Sequence, residues 1–134
     1  MTRRGAREQA FLLLFEMIFN PKTSQELSEE AAEYQEKAAN PFSLQVGKIV
    51  EEHQEEIDSI IQKFSPKWKI NRLPKVTLAI LRLAVCEIYW IDDIPIGASI
   101  NEAVELAKKY GGDDDPAYVN GVLGSIVRAK DGQL

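Results

Sequence analysis

The chain has 134 residues, 45% of them apolar, with a net charge of −5 and a sequence pI near 5.0. Such a length reads as one domain, 1–134, able to bury about two-thirds of the surface its unfolded form exposes. Its acidity excludes a generally basic nucleic-acid binder, so contact with nucleic acid would need a local patch, and its single cysteine, Cys86, excludes an internal disulfide and gives no sign of secretion.

The first helix is expected from about Thr2 to Phe19. Phe11, Leu14, Phe15 and Ile18 follow the i, i+3, i+4, i+7 spacing, and Ala6, Ala10, Leu13 and Met17 widen the apolar face. Arg3, Arg4 and Arg7, offset only by Glu8, are the dense positive charge of the chain, and Asn20-Pro21 stops the helix. A second, mostly acidic helix is expected at the surface from about Ser24 to Ala39, ended by Asn40-Pro41. The third, about Ser43 to Phe64, carries the stripe Leu44, Val46, Ile49, Val50, Ile57, Ile60 and Ile61, with Glu51, Glu52, Glu55 and Glu56 toward water.

Ser65-Pro66 breaks the pattern and leaves Trp68 and Ile70 in a connector. Pro74 suits the first turn of a fourth helix, VTLAILRLAVCEIYWI, which is apolar nearly all round and so belongs at the centre of a bundle. With Arg82 and Glu87 inside it, that run is too short and too charged to span a bilayer. No signal peptide is read at the start, and the chain is expected to be soluble and cytoplasmic. After Asp92-Asp93-Ile94-Pro95, Ser99 and Glu102 make a capping-box candidate for a fifth helix, with Ile100, Ala103, Val104 and Ala107 inward. Lys108 and Lys109 suit its last turn and Gly111 a left-handed C-terminal residue. Asp115-Pro116 would cap and start a sixth helix, striped by Val119, Val122, Leu123, Ile126 and Val127. No alternating strand pattern intervenes, so the fold class is all-α, a compact bundle of about six to seven helices.

Little in the chain offers catalysis. His53 lacks the further His or Cys ligands of a metal site and reads as a solvated side chain among glutamates. Cys86 reads as a buried, inert thiol. Glu87 needs a partner in its apolar helix, and Arg82, five residues earlier, points elsewhere. Gly121 and Gly124 inside the sixth helix suggest close packing of another backbone, with Asn120 holding a neighbouring loop. Catalytic, metal and cofactor sites are therefore expected to be none. At 100° per residue Arg4, Arg7, Phe11 and Phe15 share one side of the first helix, with Arg4 and Phe15 on its rim. A guanidinium beside an aromatic ring suits single-stranded RNA, while three arginines at a helix start also fit a solvated terminus. Their position opposes the helix dipole, which favours an anionic ligand there.

Three blocks carry a resemblance. RRGAREQAFLLLFEM, ILRLAVCEI, and DDIPIGASINEAVELAKKYG followed by YVNGVL resemble, in this order, the NusB family of transcription antitermination proteins. The resemblance covers most of the chain outside Lys22 to Asn40. It implies two packed helical subdomains, no catalysis, and action on ribosomal RNA operons through boxA-type RNA, the ribosomal protein NusE and the transcription elongation complex. Carried over by motif, Arg3, Arg4, Arg7 and Phe15 would belong to the RNA surface, with Asp114 and Tyr118 flanking it. Gly5 interrupts a basic start that is often denser in the family. Two other readings are an accessory domain of an RNA cytosine methyltransferase and a helical protein–protein adapter.

Overall fold

The computed structural model describes residues 2–20, 22–35, 40–65 and 68–131. Among them run six α-helices: α1 (Arg3–Phe19), α2 (Ser24–Gln35), α3 (Pro41–Lys63), α4 (Lys75–Trp90), α5 (Ile96–Tyr110) and α6 (Asp115–Lys130), with one 3-10 turn, Ile70–Arg72, before α4. The expected end of α2 at Ala39 lies outside the described residues.

Local chemistry sets most boundaries. The Thr2 side chain accepts from the Gly5 N–H at 3.0 Å and starts α1. Thr23 and Glu26 form a reciprocal box at α2, the Glu26 N–H donating to the Thr23 hydroxyl at 3.1 Å and the Thr23 N–H to the Glu26 carboxylate at 3.3 Å. Asn40 caps α3 through the Ser43 N–H at 2.8 Å, so this helix begins at Pro41, two residues earlier than its apolar stripe suggests.

Four expectations about ends are corrected. Pro74 holds the cap position of α4 rather than its first turn. Ser99 is no cap: α5 begins at Ile96 behind Pro95, and the buried Ser99 hydroxyl donates to Glu87 instead. Gly111 is extended (φ −99°, ψ −174°), and what excludes a side chain there is space, since a Cβ would lie 2.5 Å from an Asp115 carboxylate oxygen. Asp115 is the first residue of α6, not its cap, and its carboxylate accepts from the Gly112 N–H at 2.8 Å.

α1, α2 and α3 pack on one another, as do α4, α5 and α6. The two trios meet where α4 lies against α1 and α3, which matches the expected pair of helical subdomains. Eleven residues of α4 are buried, on all its sides. One apolar cluster runs through both trios, from Phe11, Leu14, Val46 and Ile57 to Leu83, Leu123 and Ile126. Gly47 leaves room for α2 against α3: a Cβ there would fall 2.5 Å from Ser24 Cβ. Gly121 does the opposite of what its cost in a helix suggests. It is exposed, with nothing within 4 Å of a Cβ, and Gly124 would meet only the Arg128 guanidinium at 3.3 Å. The expectation of a solvated His53 is corrected as well. It sits at a bend in α3 (φ −120°, ψ 20°), and its ring stacks on Trp90 with centroids 4.7 Å apart.

Candidate nucleic-acid interface

The arginines at the start of α1 have three different fates. Arg3 is half exposed, 3.7 Å from Asp93, with its guanidinium over the Phe42 ring at 4.9 Å. Arg4 stands out with 71% of its side chain exposed and forks onto Glu102 of α5 at 3.1 and 2.8 Å. Arg7 turns inward. Its Nε and Nη2 donate to the two Glu87 oxygens, each at 2.8 Å, in a pair whose side chains are 6% and 1% exposed. Ser99 completes the set by donating to Glu87 at 2.9 Å. Arg7 is thus the partner Glu87 requires, and it does not share the rim with Arg4. Burial and a bidentate carboxylate leave it no face for phosphate. Arg82 pairs with Asp58 at 2.9 and 2.8 Å, in the structural role expected of it.

About 17 Å along α1 from Arg4, at 1.5 Å per residue, Phe15 is half buried. It lies between Phe11, at 6.3 Å, and Phe19, at 5.1 Å in an edge-on contact. Phe19 is 63% exposed and extends this aromatic row to the end of the helix, as Leu12, 45% exposed, extends its apolar flank. The spacing Leu12, Phe15, Phe19 is legible in the sequence, but exposure is not.

A second contact ties α1 to the end of α5. Lys109 donates to Glu8 at 2.7 Å and the Tyr110 hydroxyl bonds the same oxygen. The Lys109 ammonium, then the tyrosine hydroxyl, hold the Glu8 carboxyl below its usual range. Tyr110 also packs on Phe11, with centroids 4.9 Å apart. Its chain continues into the loop carrying Asp114, whose exposed side chain makes no capping bond. Tyr118, one turn into α6, is half buried, and its hydroxyl bonds Ser65. The structure therefore brings Arg3, Arg4 and Phe15 onto one helix and links them through Tyr110 to the loop of Asp114. Tyr118 faces the α3–α4 connector. Glu8, Glu102 and Lys109 are the residues that sequence reasoning missed. They lie 98 to 101 positions from their partners, beyond any local signal.

Cys86 is buried, and burial pushes its thiol up to about 12, which keeps it an inert thiol at neutral pH. Among the described residues no group of three His, Cys, Asp or Glu could hold a metal ion, and no helix is long and apolar enough to cross a membrane.

The NusB family model matches residues 4–128. The transcription antitermination protein NusB of Clostridium novyi is 44% identical over 136 aligned positions, covering 96% of this chain and all of that protein. That of Bacillus subtilis is 42% identical, covering 94% of this chain and 95% of its own. Among solved structures, Thermotoga maritima NusB superposes with a TM-score of 0.85 at 30% identity, over 100% of this chain and 99% of that one. Antitermination factors NusB and NusE in complex with double-stranded RNA give 0.84 at 33% identity, over 95% and 96%.

Proposed function

The chain belongs to the NusB family of transcription antitermination proteins, and from that premise we propose that it binds boxA-type RNA together with the ribosomal protein NusE. The cationic end of its RNA surface is Arg3 and Arg4, and the stacking face is Phe15. The observation that carries this reading is Arg4. Its fork onto Glu102 leaves the guanidinium side of the ion pair open to water, where solvent screens the attraction. A phosphate can therefore take over the guanidinium at small cost, which it could not do at the buried Arg7. Arg7 acts indirectly, by fixing α1 against α4 so that the face carrying Arg3, Arg4 and Phe15 keeps its place relative to the other helices. Asp114 and Tyr118 flank the path, and Asp114 opposes a polyanion. In this reading the protein works by binding, catalyses nothing, and acts in the cytoplasm on the transcription elongation complex. Its match to antitermination proteins over nearly their whole length favours this over an accessory domain of a methyltransferase.

The test is a titration with boxA RNA, with and without NusE, at several salt concentrations. Arg3→Gln with Arg4→Gln should flatten the salt dependence by about 0.7 in slope for each phosphate of a single strand that no longer meets a cation. Phe15→Ala should cost about 1–3 kcal/mol of binding by removing the stacking ring. Wild-type affinity and slope in all variants, with helical circular dichroism unchanged, would remove the surface.

A further inference from the structure

Positive charge is not confined to the start of the chain. From Lys63 to Lys75 the sequence holds Lys63, Lys67, Lys69, Arg72 and Lys75 and no acidic residue, in a protein of net charge −5. Lys67 lies outside the described residues. Lys69, Arg72 and Lys75 are exposed, and none forms an ion pair among the described residues. Arg3, Arg4, Arg7, Arg82 and Lys109 are all paired with carboxylates. The same connector presents Trp68 with 52% of its surface open to solvent, although Leu73 of this segment is buried in the core.

The backbone beneath Trp68 is held in place. The Gln62 side chain donates to the Trp68 carbonyl at 3.2 Å and accepts from the Ile70 N–H at 2.8 Å. The Ser65 hydroxyl also bonds the Trp68 carbonyl at 3.2 Å, and it is the same hydroxyl that meets Tyr118. One serine oxygen thus separates Trp68 from a residue that flanks the RNA surface. Beyond it α4 begins with no side-chain cap and no acid in its first turn, so its positive end stays uncompensated beside Lys75.

We propose that residues 68–75 form a second contact for single-stranded RNA, continuing the path past Tyr118. Trp68 stacks on a base, and Lys69, Arg72 and Lys75 meet phosphates. An exposed aromatic ring on a held backbone, among cations with no ion pair among the described residues, is the combination that single-strand binders use without base-specific hydrogen bonds. The contact therefore reads the length of RNA beyond boxA rather than its sequence. The inference rests on the RNA-binding reading above, and its test separates the two.

The full chain is titrated with a boxA-length RNA and with the same RNA extended at both ends by uridines. Wild type should bind the extended RNA about fivefold to a hundredfold tighter, the range of one stacked base. Its salt slope should be steeper by about 2, from three phosphates at about 0.7 each. Trp68→Ala should lose much of this increment and K69Q/R72Q/K75Q the added slope, each leaving boxA-length affinity unchanged, while Trp68→Phe keeps the stacking. All these side chains are exposed, and matching thermal melts verify the fold. Equal affinity of wild type for the two RNAs overturns the proposal, as does an increment that survives in K69Q/R72Q/K75Q. That second result would leave the cations for an acidic protein surface. Binding of only the extended RNA, abolished by Trp68→Ala, would support the connector and reject the surface on α1. Binding of neither RNA would reject both.

Discussion

Replacing Arg7 by Met should destabilise the fold while removing no direct RNA contact. The change leaves the Glu87 carboxylate, 1% exposed, with Ser99 as its one remaining partner among the described residues. Breaking one side of a buried pair costs about 3–5 kcal/mol. A domain of this size has on the order of 7–15 kcal/mol in total, so the variant still folds. With a urea m-value of about 1.5 kcal/mol/M, the midpoint should fall by about 2–3 M. Glu87→Met should cost a similar amount, because it strands the Arg7 guanidinium. The double variant Arg7→Met/Glu87→Met restores an apolar contact between α1 and α4 and should recover most of the loss. The coupling energy of the cycle should then exceed about 3 kcal/mol. Urea melts of the four proteins measure this, and RNA titrations of the wild type and the double variant complete it. A loss below about 1 kcal/mol in Arg7→Met would refute the buried clamp. A stable double variant whose salt slope drops by about 0.7 would show that Arg7 meets phosphate after all.

Other outcomes follow from single residues. Gly47→Ala should destabilise by about 1–3 kcal/mol in a thermal melt, since its Cβ would press on Ser24 and on Leu13 at 3.1 Å. Gly121→Ala should stabilise by about 1 kcal/mol, since nothing lies within 4 Å of the added methyl; a loss instead would mean that the helix is strained there. Glu8 is held low in the folded state by Lys109 and Tyr110. Its contribution is complete above the unfolded value of about 4.3 and disappears as pH falls through the lower folded value. Glu8→Gln should therefore lower stability at neutral pH and flatten the acid limb of the stability curve, and parallel acid limbs would contradict the contact. Asp114→Asn removes a charge that caps nothing, so melting should stay unchanged while RNA binds more tightly at low salt and the gain shrinks as salt rises.

Period and punctuation carry most of this fold. The stripe from Leu44 to Ile61 marks α3, and the all-round apolarity of VTLAILRLAVCEIYWI places α4 at the centre. Ends are less legible where one residue type has two uses. Ser99 has the spacing of a cap, yet Pro95 has already started the helix and Glu87 claims the hydroxyl. The candidate site is legible in its residue types but not in its pairings. Arg4 and Arg7 are three positions apart on one helix. What separates an exposed guanidinium from a buried one is Glu87, 80 residues away, and no periodicity encodes that. Trp68 and its cations are visible in the sequence, but Ser65-Pro66 makes the segment look like a mere break between helices.

The dependence of both halves on α4 sets an order of events during synthesis. α1, α2 and α3 leave the ribosome first, with Val46, Val50, Ile57 and Ile61 lacking the helix that will cover them. Arg7 waits for a counterion 80 residues downstream, a delay of about 4–16 s at ordinary elongation rates of about 5–20 residues per second. From the emergence of α3 until α4 arrives, the nascent N-terminal half shows water an apolar seam and an unmatched cation. A chain interrupted before Glu87 is therefore a substrate for chaperones and proteases rather than a smaller version of the protein.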